Sequence, residues 1–153
     1  MNKVFVSVTE KHKKYFDELN KVFSVRVSKK YLVSQHILFV FAAVYGFREG
    51  RYRSLDKYYA TEKLESFSRI EYIRKDPTLE ALIVAMAYAH IRKNYPNDAE
   101  ERIRNLTWDD IYTIAEGYAA GGVELLYGDI HDKDVFLEDI ESKLLSLGGV
   151  SGD

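Results

Sequence analysis

The sequence predicts a mainly α fold, a compact single-domain helical protein with one or two short β-strands at its N-terminus. Three observations carry this. Apolar residues recur at helical spacing through most of the chain, repeatedly behind an N-cap signal. Two near-apolar runs, Ile37–Phe47 and Ala81–Ile91, are 11 residues each; a bilayer span needs roughly 20, so both read as buried core helices. Strand-like composition is confined to the region before Ser28. With 153 residues, 46% of them apolar, the chain can bury one core. The expected domain is 1–147, followed by a flexible tail at 148–153.

Each element follows from its own residues. Val4-Phe5-Val6-Ser7-Val8 is β-branched and aromatic and reads as a short strand. Thr9 then caps a helix over about Glu10–Val22, with Tyr15, Phe16, Leu19 and Val22/Phe23 on one face. Phe23–Val27 alternates, as a second short strand or a loop. Ser28 is placed to cap a helix over Lys30–Tyr45, apolar nearly all the way round from Ile37 and therefore central. Gly46 is expected to end it in the left-handed conformation. A connecting loop, Gly46–Leu55, follows. Over Tyr58–Arg74 the three-residue recurrence of Leu64, Phe67, Ile70 and Ile73 favours helix, against a mixture of charges and Ser/Thr.

The second half is punctuated more sharply. Asp76-Pro77 is an N-cap followed by proline at the first helical position, and opens a helix over Pro77–Lys93. Its inward face carries Leu79, Leu82, Ile83, Met86 and His90, and Asn94-Tyr95-Pro96 stops it. Asn97-x-x-Glu100 resembles a capping box for a short polar helix to Asn105. Thr107-Trp108-Asp109-Asp110 opens another helix with Ile111, Ala115 and Tyr118 inward, which Gly121-Gly122 is expected to break. A last helix is expected over Lys133–Leu147.

Composition narrows the chemistry. There is no cysteine, so disulfides, thiolate metal sites and cysteine nucleophiles are excluded. That fits a reducing compartment, and the early polar turn at Thr9 is too soon for a secretory leader, so a cytoplasmic protein without a membrane span is expected. Charge is the strongest signal. Residues 1–75 hold 16 Lys/Arg against 8 Asp/Glu, whereas residues 76–153 hold 6 against 16. The net charge of −2 hides a strong asymmetry, which implies a polyanion-binding front or two surfaces that pair with each other.

The basic front has a focus. Arg48, Arg51 and Arg53 lie within six residues, followed by Lys57 and interleaved with Tyr45, Phe47 and Tyr52. Guanidinium forks grip phosphate oxygens, and aromatic rings stack on bases. Gly46 and Gly50 let the backbone approach a ligand. Lys29 and Lys30, with Lys11, Lys13 and Lys14, would extend the stripe. Alternatively the glycines only cap and turn, and the arginines solvate the loop or pair with Glu49 and Asp56.

Other constellations lead elsewhere. No Walker or G-x-G-x-x-G pattern occurs, so a nucleotide cofactor is not expected. His12, His36, His90 and His131 are scattered without zinc-site spacing, and His36 and His90 read as satisfied core histidines. Asp129-Ile130-His131-Asp132-Lys133-Asp134 fails the EF-hand pattern at His131, Lys133 and Asp134, and reads as a turn with Asp132 capping the last helix. Asp109, Asp110, Glu116 and Glu124 offer carboxylates for acid–base or magnesium work, but the first two lie in a first helical turn, which favours anions without any function. No catalytic residue, metal or cofactor is assigned. An enzyme whose site is assembled from scattered residues such as His36, Tyr45, Arg48 and Asp109 is a further alternative, and no motif selects it.

The stretch Phe39–Leu55, FVFAAVYGFREGRYRSL, resembles the small proteins associated with DNA phosphorothioation (Dnd-type sulfur modification) gene clusters. The pattern is a Phe-Ala-Ala helix end (Phe41-Ala42-Ala43), an aromatic-flanked glycine (Gly46), a second glycine (Gly50), a basic residue and a Pro-Leu. Ser54 stands where that proline is expected. The extended start at Lys3–Val8 before a lysine-rich helix is also similar. The resemblance implies a prokaryotic defence setting in which DNA is modified or its modified status sensed, and an accessory role. It carries over no catalytic residue, only the Gly46/Gly50 loop and its arginines.

The reading that results is a non-catalytic accessory protein of a restriction–modification type system. It contacts DNA phosphates through Arg48, Arg51, Arg53 and Lys57, with Lys29 and Lys30, and has protein partners in the same system. The alternative is a protein–protein adaptor whose basic half binds an acidic partner or another copy of itself, as a homo-oligomer.

Overall fold

The computed structural model describes residues 2–23, 33–58 and 62–132. Elements run β1 (Phe5–Thr9), α1 (Glu10–Phe23), α2 (Gln35–Arg48), α3 (Leu55–Tyr58), β2 (Leu64–Arg69), α4 (Ile70–Arg74), α5 (Pro77–Asn94), α6 (Ala99–Arg104) and α7 (Trp108–Asp132). The fold is mainly α with one small antiparallel sheet, as expected. Ser24–Val27, the Ser28 cap, Lys29 and Lys30, the helix expected over Lys133–Leu147 and the tail at 148–153 lie outside the described residues.

Caps act where the sequence places them. Thr9 Oγ1 accepts the His12 amide at 3.0 Å and starts α1. Asp76 accepts from the amides of Thr78 and Leu79 and starts α5 behind Pro77. Thr107 and Asp110 cap α7 reciprocally: the Thr107 hydroxyl accepts the Asp110 amide at 3.1 Å, and the Asp110 carboxylate accepts the Thr107 amide at 3.0 Å.

The partner strand of β1 comes from mid-chain. Leu64–Arg69 is not helical; it forms β2, antiparallel to β1, and only Ile70–Arg74 takes up the helix. The register slips between Val6 and Ser7, which face Ser68 and Ser66, leaving Phe67 in a bulge. Phe67 and Ser68 are therefore both buried, and Phe67 reaches the Phe16 ring at 4.5 Å. The bulge destroys the two-residue alternation that would have marked a strand. Phe23, read as the start of a possible strand, closes α1 in the core.

α2 is central, with Leu38–Ala43, Tyr45 and Gly46 buried. It begins later than expected, at Gln35, and runs through Gly46 to Arg48. Ahead of it, the Asn20 side chain donates to the Val33 carbonyl (3.0 Å) and accepts its amide (2.8 Å), which ties the approach to α2 onto α1.

α2 packs backbone to backbone on α7. A Cβ on Gly122 would lie 1.8 Å from the Ala42 carbonyl oxygen, and one on Gly46 would lie 2.1 Å from that of Tyr118. Gly46 is thus a contact glycine inside a helix, not its terminator; the left-handed residue is Gly50, at φ 69°. For the same reason Gly121-Gly122 does not break α7. Glycine weakens an isolated helix by about 1 kcal/mol relative to alanine, but here it admits a second helix. α7 continues through Asp129–Asp132, so the turn expected there, with Asp132 as a cap, is helix instead.

Candidate nucleic-acid interface

The loop after α2 is held at every residue from Glu49 to Arg53 except Tyr52, whose ring is packed instead. The Glu49 amide donates to Tyr45 O, Gly50 to Phe47 O, Arg51 to Gly46 O at 2.8 Å and Arg53 to Gly117 O at 3.0 Å. Two glycines of α7 form the bed. A Cβ on Gly121 would strike the Arg51 carbonyl at 2.1 Å, and one on Gly117 would strike the Tyr52 ring at 2.4 Å. Tyr52 packs against Tyr118 and His90, with ring centroids at 4.8 and 4.6 Å.

Glu124 on α7 organises the charges. Its Oε1 meets His12 Nε2 at 2.9 Å, and its Oε2 accepts from the Arg51 guanidinium at 3.0 Å and lies 3.4 Å from Arg53 Nε. Burial opposes its ionisation, but hydrogen bonds from His12 and Arg51 and the charge of Arg53 outweigh that and hold its carboxyl down at about 2. Arg51 and Arg53 pair with Glu124 rather than with Glu49 or Asp56. Both stay partly in solvent, Arg51 at 39% and Arg53 at 40% exposure. Arg48 is exposed at the end of α2, and Phe47 beside it is 38% exposed.

The remaining candidate cations are placed differently. Lys57 lies in α3, its side chain outside the described atoms, and Lys29 and Lys30 lie outside the described residues. Lys13 pairs with Asp17 along α1 at 3.4 Å, and Lys11 sits 5.8 Å over Tyr15. The structure therefore brings Arg51, Arg53 and His12 to one carboxylate, with Arg48 exposed at the end of α2, three residues before Arg51 in sequence.

The acidic candidates serve as anchors. Glu116 is 2% exposed; it meets Lys3 Nζ at 3.0 Å and accepts the Ser7 amide. Burial pushes its carboxyl up to about 7, and Lys3 and the Ser7 N–H only partly offset this. Asp109 accepts the amides of Asn2 and Lys3. Sequence reasoning missed the hub role of Glu124. Its signal was the opposed charge of the two halves, which here pair within one chain. Among the described residues no group of three or more His, Asp or Glu is arranged to hold a metal.

His90 and His36 have local contacts. His90 Nδ1 lies 2.7 Å from the Tyr118 hydroxyl, and burial followed by the charge of Lys93 lowers its pKa. His36 is half-buried near Tyr72, and burial lowers its pKa against the pull of Asp76. Of the residues in the enzymatic alternative, Tyr45 bonds Asp129 at 3.3 Å while Asp109 anchors the N-terminus, so these two serve separate contacts. No described helix is long and apolar enough to cross a membrane.

Comparison with curated proteins found no match, and comparison with solved structures found none. A protein-family profile, described as DNA sulphur modification system-associated protein 4, matches residues 31–148. That span contains α2, the Gly50–Arg53 loop and the glycine bed and Glu124 of α7, but not His12. The chain belongs to the DNA sulphur modification system-associated protein 4 family.

Proposed function

We propose that this protein is a non-catalytic, cytoplasmic accessory component of a DNA sulphur modification system, and that it touches the DNA backbone through the Arg48–Arg53 loop. One observation carries the reading. Arg51 and Arg53 are held on a pinned backbone by Glu124 while about two-fifths of each side chain remains in solvent. A guanidinium has five N–H donors, so one engaged with a carboxylate retains donors for a phosphate. Pre-ordering the loop lowers the entropic cost of contact. Arg48 adds a third charge, and Lys57, Lys29 and Lys30 are the further cations assigned to this contact.

The test is titration of a labelled DNA duplex by fluorescence anisotropy at about 50 and about 200 mM salt, since each neutralised phosphate contributes a log–log slope of about −0.9. Three contacts predict a slope near −2.7. Arg48→Glu, which disturbs no described internal pair, is expected to weaken binding and make the slope shallower. Absence of binding at the lower salt would remove DNA as a direct ligand.

A further inference from the structure

A second feature lies on the acidic half, between α5, α6 and the start of α7. It is a cleft of about 560 Å³ bordered by Tyr52, Tyr95, Asp98, Glu101, Arg102 and Asp110. That volume is in the range of small-ligand sites. Three carboxylates face one guanidinium, and His90 on the same wall adds no charge near pH 7, because burial and then Lys93 depress its pKa. Tyr95 is exposed at the rim, at 40%.

The cleft already shows how it handles a cation. Arg102 lies 3.8 Å over the Tyr95 ring and donates to Asp98 at 2.9 Å. A ring face attracts a guanidinium through its quadrupole, and a carboxylate fixes its orientation. Glu101 and Asp110 bring two further negative charges, and Tyr52 brings a second ring. An anionic ligand would be repelled here, and a purely apolar one would leave the carboxylates facing it without compensation.

We propose that this cleft seats an arginine side chain of a partner polypeptide, its guanidinium received by Glu101 and Asp110 against the aromatic wall. The argument is charge complementarity combined with an open cleft that carries two tyrosine rings, Tyr52 and Tyr95. It is independent of the DNA-contact reading and uses different residues, apart from the Tyr52 ring that borders both surfaces.

The test uses the whole chain and N-acetylarginine amide, with N-acetylcitrulline amide as the uncharged isostere, followed by backbone amide NMR shifts. The expected result is saturable, millimolar binding of the arginine compound, with shifts concentrated at Tyr95, Glu101, Arg102 and Asp110 and none from citrulline. Tyr95→Ala and Glu101→Gln are each expected to weaken binding about threefold, and Glu101→Gln, at an exposed position with no described ion pair, to do so without lowering the melting temperature. Equal response to citrulline, shifts scattered over other carboxylates, or unchanged affinity in both variants overturns the proposal. An equal or stronger response to spermidine overturns the assignment to a protein guanidinium in favour of a polyamine.

Discussion

Glu124 and Glu116 show how one helix gives two carboxylates opposite behaviour. Glu124 is held at about 2, below its ordinary 4.5, so the stability it adds is fully present above pH 4.5 and is lost as pH falls toward 2. Glu116 is raised to about 7, so the folded state binds its proton more tightly than the unfolded chain does. Stability from this group therefore falls as pH rises from 4.5 to 7. His36 and His90, with lowered pKa, act in the opposite sense and are common to both proteins, so in urea unfolding at pH 5 and pH 8 the native protein should fare worse on going to pH 8 than Glu116→Gln does. Glu124→Gln removes the charge that faces His12, Arg51 and Arg53, and is expected to cost about 2 kcal/mol at pH 7 by the same measurement. An unchanged midpoint would mean that the loop is held by its backbone hydrogen bonds alone. Neither role was legible in sequence, because a helical carboxylate looks the same whether it faces solvent or a buried strand.

At the scale of elements, glycines divide by what surrounds them. Gly122→Ala must push α2 from α7, because the new Cβ meets a backbone carbonyl at 1.8 Å that cannot rotate away; a loss of about 3 kcal/mol is expected from thermal or urea unfolding. Gly50→Ala has open space but keeps a φ of 69°, and is expected to cost about 1 kcal/mol, with asparagine cheaper. Gly128 sits inside α7 with no described atom within 4 Å, so Gly128→Ala should stabilise by roughly 0.5–1 kcal/mol. The sequence reading gave Gly46 and Gly121-Gly122 the local meaning of helix ends. They mark a helix–helix contact instead, which appears only when two distant segments meet. The same limit applies at Leu64–Arg69, where a bulge placed Phe67 and Ser68 side by side in the interior and left a three-residue apolar recurrence that reads as helix.

Across the whole molecule, the opposed charges of the two halves are partly spent inside the fold. Lys3 meets Glu116, and His12, Arg51 and Arg53 meet Glu124, all with a carboxylate no more than 14% exposed. Sheltered pairs are screened little by salt, whereas phosphate contacts made from solvent are screened strongly. Raising salt from about 50 to about 200 mM should therefore leave the melting temperature nearly unchanged while DNA affinity falls about 40-fold for three contacts. Melts and anisotropy titrations in the same buffers check both. A melting temperature that falls in parallel with affinity would mean that the internal pairs are solvent-exposed in solution.

The sequence by itself determined the helical class, the boundaries marked by Thr9, Asp76-Pro77 and Thr107, the central place of α2 and the resemblance around Phe39–Leu55. These rest on local periodicity, capping and a contiguous motif, each of which acts within a few residues along the chain. Tertiary structure alone decided that β2 comes from mid-chain and that Gly46 and Gly122 are contact points. It also decided that Arg51 and Arg53 share Glu124, and that Tyr52 and Tyr95 border one acidic cleft. These depend on pairs of residues far apart in sequence, whose approach is set by how helices and strands pack rather than by the character of either segment.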